Sequence, residues 1–269
     1  MDAALNKMDH VEGTESDLYL NGMRFLHRRD YRSALRCFES ALERARQREA
    51  HPKTFDLLIT LGNINAQLGE AERARSFYQE VLHLQKEDPD PHAIGLTLVN
   101  LGNLCRESGE WARARARAYY LEAEGFLSET GNEQALALLY SNFGLLAQDE
   151  GALADAQSFL EKAIALHKKT GYEEGLAAAW LQLGRVFLQG SRMGQEAETC
   201  FNYASSHFGA LGDPGGEIEA IRGLAAVYEQ RKDSALAMAC INRILEINRR
   251  YHLNTAQADL NVLSRLQAR

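Results

Sequence analysis

The sequence repeats itself. From Thr60 it runs TLGNINAQLGEAERARSFYQEVL, and from Leu98 it runs LVNLGNLCRESGEWARARARAYY. The same Leu-Gly-Asn recurs 40 residues later, and a Gly-Glu follows seven residues after the first Gly each time. A phrase recurring at such a period marks a stack of equivalent supersecondary units, each burying its apolar face against the next. Taking the small residue at the centre of each phrase as an anchor gives Gly22, Gly62, Gly102, Gly144, Gly184 and Ala225, spaced 40, 40, 42, 40 and 41. A second small residue follows at Ala34, Ala74, Ala116, Ala156, Ala197 and Ala237, at offsets of 12, 12, 14, 12, 13 and 12. The odd spacings come from a two-residue insertion within WARARARAYY and a single one within GSRMGQEA.

Each unit reads as two helices. In the first, apolar residues sit four and one before the anchor and three after it, as in Trp180, Leu183 and Phe187, which is a stripe of period 3.6. The second alternates small, large and small at intervals of four and three: Ala34, Phe38, Ala41; Ala116, Tyr120, Ala123; Ala197, Phe201, Ala204. Small residues let two backbones approach while the large one fills the space between them. Gly69-Glu70, Gly109-Glu110 and Gly151-Ala152 mark turns between the helices, and EDPDP, TGNEQ, TGYEE and LGDPGGE mark breaks between units.

This pattern resembles the tetratricopeptide repeat, whose Leu-Gly-x-x-Tyr…Ala…Phe…Ala signature it largely follows over some 235 residues. The length of the unit is similar to the Leu-Gly-Asn type of spindle-orientation adaptors and kinesin light chains, and to ligand-sensing helical domains of some bacterial regulators. The departures are Asn21 and Asn65 at apolar positions and Ala225 in place of Gly. The resemblance implies an all-α fold, an α-solenoid in a right-handed superhelix, with first helices lining a concave groove. Six hairpins are expected over 15–253, and a capping helix over 254–269 with Asn254 as its cap and Leu260, Leu263 and Leu266 on one face. Residues 1–14 are expected to be a disordered tail.

Composition removes several function classes. A net charge of −7 argues against general nucleic-acid binding, and the cluster Arg113, Arg115, Arg117 reads as a solvated helix face. The acidic N-terminus is no signal peptide, and no apolar run is long enough to span a membrane. Cys37, Cys105, Cys200 and Cys240 are scattered, as expected of buried thiols in a reducing cytoplasm. No Gly-rich phosphate loop, His-Glu-x-x-His or nucleophile elbow is present. Asp149-Glu150 and Glu173-Glu174 are sequence neighbours, which on a helix point about 100° apart. No catalytic activity, metal or cofactor is expected.

Function is therefore sought on the face of each first helix left over by the packing stripe, at positions −6, −3, −2, +1, +4 and +5 from the anchor. That face holds Asn63, Gln67, Asn100, Asn103, Arg106, Asn142, Gln148, Gln182, Arg185 and Gln189, with Arg222 and Glu229 in the sixth unit. An Asn side chain offers donors and an acceptor together and can bracket a peptide unit. Asn63 with Asn100, and Asn103 with Asn142, occupy the +1 and −2 positions of successive units. The resemblance implies that such pairs hold the backbone of an extended peptide; the plainer alternative is that Asn after Gly serves the repeat itself. A lysine clamp for a C-terminal carboxylate is missing, since Ile59 or Val99, Leu138 or Ala178, and Asn142 or Gln182 stand at its positions. An internal segment is expected instead, acidic where it meets Arg106, Arg185 and Arg222. Tyr19, Leu20, Met23 and Leu26 form an apolar part of the same face, to be covered by the N-terminal tail or to receive a partner side chain.

The expectation from sequence is thus a non-catalytic scaffold or adaptor that binds a protein or peptide, with no nucleic-acid or membrane partner, as a monomer or weak homo-oligomer. A peptide-sensing regulatory module and a self-assembling structural protein are the alternatives.

Overall fold

The structure, a computed structural model, describes residues 14–47, 51–86, 89–190, 194–253 and 256–267. Residues 1–13 of the expected tail, the Asn254 cap and the insertion near Ser191 fall outside the described residues, while Thr14, expected in the tail, caps the first helix. Thirteen helices and no strand are found among the described residues, so the all-α expectation holds. They divide into two compact units, 1–129 and 130–269.

The first unit contains the hairpins α1 (Glu15–His27) with α2 (Tyr31–Gln47), α3 (His51–Gln67) with α4 (Ala71–Leu84), and α5 (Pro91–Glu107) with α6 (Glu110–Thr130). The second contains α7 (Glu133–Asp149) with α8 (Leu153–Thr170), α9 (Glu173–Gln189) with α10 (Gly194–Leu211), and α11 (Pro214–Gln230) with α12 (Ser234–Arg250), followed by α13 (Ala256–Gln267). Within each unit the first helix of a hairpin is its A helix and the second its B helix, and B helices pack on the A helix that follows: α2 on α3, α4 on α5, α8 on α9 and α10 on α11.

Local chemistry sets the helix ends. Thr14 and Asp17 form a reciprocal capping box at α1, while Asp90, Asn132, Asp213 and Asp233 cap α5, α7, α11 and α12 through their side chains. The A–B turn needs a left-handed residue, supplied by Gly69, Gly109 and Gly151, with φ of 78°, 100° and 75°. In the first and sixth hairpins Arg29 and Lys232 take that conformation instead, at φ 58° and 60°.

The anchors explain the core. A Cβ on Gly62 would lie 2.4 Å from Tyr78, one on Gly102 would lie 2.2 Å from Tyr120, and one on Gly184 would lie 2.8 Å from Phe201. Gly22 meets Phe38, and Gly144 meets Leu160, in the same way at 2.7 and 2.6 Å. Each A helix thus gives up a side chain so that the large residue of its own B helix can lie flat across it. Those large residues and the flanking alanines are buried. The sixth hairpin keeps Ala225, and there the B-helix residue is Ile241, narrower than an aromatic ring, in one buried cluster with it.

Two sequence expectations are refined. Asn65, read as a departure from the apolar pattern, is fully buried, and its Nδ2 donates to the Leu61 carbonyl at 2.7 Å. On α13, Leu266 is buried and Leu263 packs partly against the sixth hairpin, but Leu260 remains exposed. No helix among the described residues is long and apolar enough to cross a membrane.

Candidate functional site

In the first unit the A-helix face expected from sequence forms a cleft of about 350 Å³ between α3 and α5. Asn63, Gln67, Asn100 and Asn103 all line it, together with Tyr78, Leu104 and Glu107. Asn100 Nδ2 donates to Asn63 Oδ1 at 3.3 Å, so the −2 and +1 asparagines of successive hairpins do meet. Arg106 stands at the edge, its Nη2 3.7 Å from the Glu107 carboxylate.

The two asparagines that follow an anchor Gly carry a second duty. Tyr78 crosses Gly62 and ends with its hydroxyl beneath Asn63, donating to Oδ1 at 2.7 Å. Tyr120 crosses Gly102 and donates to Asn103 Oδ1 at 2.6 Å. Burial, reinforced by the nearby Glu107 carboxylate, pushes the Tyr78 hydroxyl well above its ordinary pKa, so it stays a protonated donor. The B-helix residue and the residue after the anchor match throughout the chain. Where the B helix brings a tyrosine, Asn follows the Gly; where it brings Phe38, Leu160 or Phe201, which have no hydroxyl, the follower is Met23, Leu145 or Arg185. The plainer reading of Leu-Gly-Asn therefore holds for the side-chain oxygens, which satisfy tyrosine hydroxyls of the repeat itself. The Nδ2 groups of Asn63 and Asn103, the Oδ1 of Asn100 and the Gln67 amide remain to serve the cleft. This tyrosine–asparagine correspondence was the signal available in the sequence, and sequence reasoning missed it. It also missed Glu107, although it stands five residues after its anchor, as Gln67 does.

In the second unit the expected residues are placed differently. Gln148 Nε2 donates to Gln189 Oε1 at 3.3 Å, linking α7 to α9. Asn142 and Gln182 are half-buried on those helices. Arg185, expected to be open to a partner, donates to Glu219 at 2.8 Å. Arg222 donates to Glu219 at 2.9 Å and grips Asp259 of α13 with two bonds, at 3.1 and 2.9 Å. These bonds raise the Arg222 pKa above its ordinary value, the Asp259 bond most. Glu229 accepts from Arg265 at 2.7 Å. Alternating charges thus run from α9 through α11 to α13, and the cap is held by residues read as groove residues. The expectation that Arg185 and Arg222 await an acidic partner loses its basis: their charges are already matched within the chain.

Further clefts lie among the described residues. One of about 460 Å³ lies between α1 and α3, lined by Tyr19, Leu20 and Asp56, with Met23 exposed nearby. Another of about 480 Å³ opens between α8, α9 and α10, floored by Leu183 and Phe187 and flanked by Glu161 and Glu196. Among the described residues no group of three His, Cys, Asp or Glu is placed to hold a metal ion.

The hairpin geometry, the Gly-for-ring exchange and the period describe one repeat type, and a family model described as tetratricopeptide repeat matches residues 18–87. The same architecture recurs in all six hairpins, so the α-solenoid fold class expected from sequence stands. No curated protein sequence matches the chain. Among solved structures, BtubC (BKLC) from P. vanneervenii is 19% identical with a TM-score of 0.69, over 90% of this chain and 93% of that one. The Rap protein complexed with competence and sporulation factor is 12% identical with a TM-score of 0.70, over 94% of this chain and 75% of the other. The APC/C hetero-tetramer Cut9-Hcn1 is 19% identical with a TM-score of 0.71, over 94% of this chain but 42% of that chain. At such identities the likeness concerns the fold.

Proposed function

We propose that this chain is a non-catalytic protein-interaction module, working in the cytoplasm, that holds an extended internal segment of a partner protein on its A-helix face. The observation that carries the reading is the amide cleft of the first unit. Asn63 and Asn103 direct Nδ2 groups, and Asn100 an Oδ1, to a space of about 350 Å³ lined by polar groups rather than by a closed apolar pocket. Donors and acceptors alternating along a rigid helix pair match the alternating C=O and N–H of an extended backbone, and a preformed face lowers the ordering cost of binding. Proteins of this fold are known in complexes with polypeptides: the Rap structure holds competence and sporulation factor, and Cut9 is found with Hcn1. Four thiols without disulfides among the described residues suit a reducing compartment.

The test is affinity capture by the intact chain beside a copy carrying Asn100→Ala with Gln67→Ala, residues whose loss strands no buried hydroxyl. Partners should be lost by the variant at unchanged melting temperature. An identical set of captured proteins would remove the cleft from the function. A mass measurement without ligand separates the self-assembly alternative, which requires dimers or larger species.

A further inference from the structure

We propose that the segment bound by the first unit is basic, with a lysine or arginine of the partner seated in the cleft against Glu107. This rests on the amide-cleft reading above and reverses the acidic partner expected from sequence. Among the described residues lining the cleft, Glu107 carries the charge, and its side chain is 60% exposed. Its nearest cation, Arg106 Nη2 at 3.7 Å, lies beyond hydrogen-bonding range of that oxygen. The carboxylate therefore keeps acceptor capacity directed at a guest.

Of the three arginines expected to attract an acidic segment, Arg106 stands against Glu107 itself, and the other two are taken up elsewhere. Arg185 is paired with Glu219, and Arg222 with both Glu219 and Asp259. A second exposed acid, Asp56, stands seven residues before Asn63 on α3, about 10 Å along the helix, in the neighbouring cleft of the same unit. Arg106 faces Glu107 across 3.7 Å without hydrogen-bonding it, so the charge left over beside the cleft is that of Asp56, in a chain whose formal net charge is −7. Chemistry divides the work. Asparagine Nδ2 donors suit backbone carbonyls, and an acceptor-only carboxylate suits the donor-only head of Lys or Arg. The long-range field draws a cationic segment in, and Glu107 fixes where its charge rests.

The probe is a displayed library of random dodecapeptides, selected on the full chain and on four variants: Glu107→Gln, Glu107→Arg, Asn100→Ala and Glu43→Arg. Glu43→Arg changes the net charge as Glu107→Arg does, but on exposed α2 surface away from the cleft. Wild type should enrich Lys and Arg. Synthetic copies of the selected peptides should bind Glu107→Gln about fivefold more weakly, an exposed ion pair's worth. Glu107→Arg should turn the enrichment towards Asp and Glu, while Glu43→Arg leaves it basic. Selected peptides that depend on Asn100 but are acidic or neutral, or that Glu43→Arg alters as much as Glu107→Arg, overturn the basic-segment inference and leave the cleft standing. Peptides indifferent to Asn100→Ala, or no enrichment at all, overturn the cleft reading itself. Circular dichroism melting of each variant confirms that folded protein is compared.

Discussion

Gly102→Ala adds a single methyl group, and the structure says what it meets. The new Cβ would lie 2.2 Å from Tyr120 Cε1 and 2.5 Å from Cδ1. Ordinary contact begins near 3.4 Å, so the ring must retreat by about 1.2 Å. It cannot slide freely, because its hydroxyl is tied to Asn103 at 2.6 Å and the residue is fully buried. Overpacking costs about 1–3 kcal/mol, and loosening the hydroxyl adds about 1 kcal/mol. Against this, Ala is favoured over Gly in a helix by about 1 kcal/mol. The net expectation is destabilisation of about 1–3 kcal/mol, read as a lower urea midpoint at unchanged slope. Gly125→Ala on α6 is the control: no atom lies within 4 Å of its Cβ site, so the variant should gain about 0.5–1 kcal/mol. The sixth hairpin supplies a rescue, since it pairs Ala225 with Ile241; Gly102→Ala with Tyr120→Ile should recover part of the loss. A Gly102→Ala protein as stable as Gly125→Ala would refute the ring-over-glycine account of the repeat.

Three further outcomes are expected. Asn63→Ala strands the buried Tyr78 hydroxyl and should cost about 1–3 kcal/mol, whereas adding it to Tyr78→Phe should cost far less; additive losses in the double-mutant cycle would deny the pairing. Arg222→Ala leaves the Asp259 carboxylate, 4% exposed, without its cation and should raise hydrogen exchange in α13 before the rest of the second unit; uniform exchange would argue against the ion pair as the tether. Burial lowers the pKa of His167 below 6.5 in the folded state, so the unfolded chain binds the proton more readily. Its contribution to stability is present above about pH 6.5 and is lost as pH falls towards the depressed folded value; His167→Leu should flatten that part of the melting-temperature profile, and an unchanged profile would assign the acid sensitivity to other groups.

The sequence by itself determined the repeat, its register and its core. Gly22, Gly102 and Gly184, with Phe38, Tyr120 and Phe201, could be placed because the contacts within one hairpin recur at fixed local spacing, and apolar burial depends on period rather than on partner identity. The face of the A helices was equally legible, since it is what the packing stripe leaves over. Only the tertiary structure decided what the polar residues on that face do. Asn63 meets Asn100 37 residues on, Arg222 meets Asp259 at the same separation, and Arg185 meets Glu219 34 residues on. A polar side chain has several possible partners at similar energy, and the choice among them is made when successive A helices are set side by side. That juxtaposition turned two expected ligand-binding arginines into internal ties and two asparagine oxygens into caps for tyrosine. It left Glu107, at the same +5 position as Gln67 and Gln189, as the charged group lining the amide cleft.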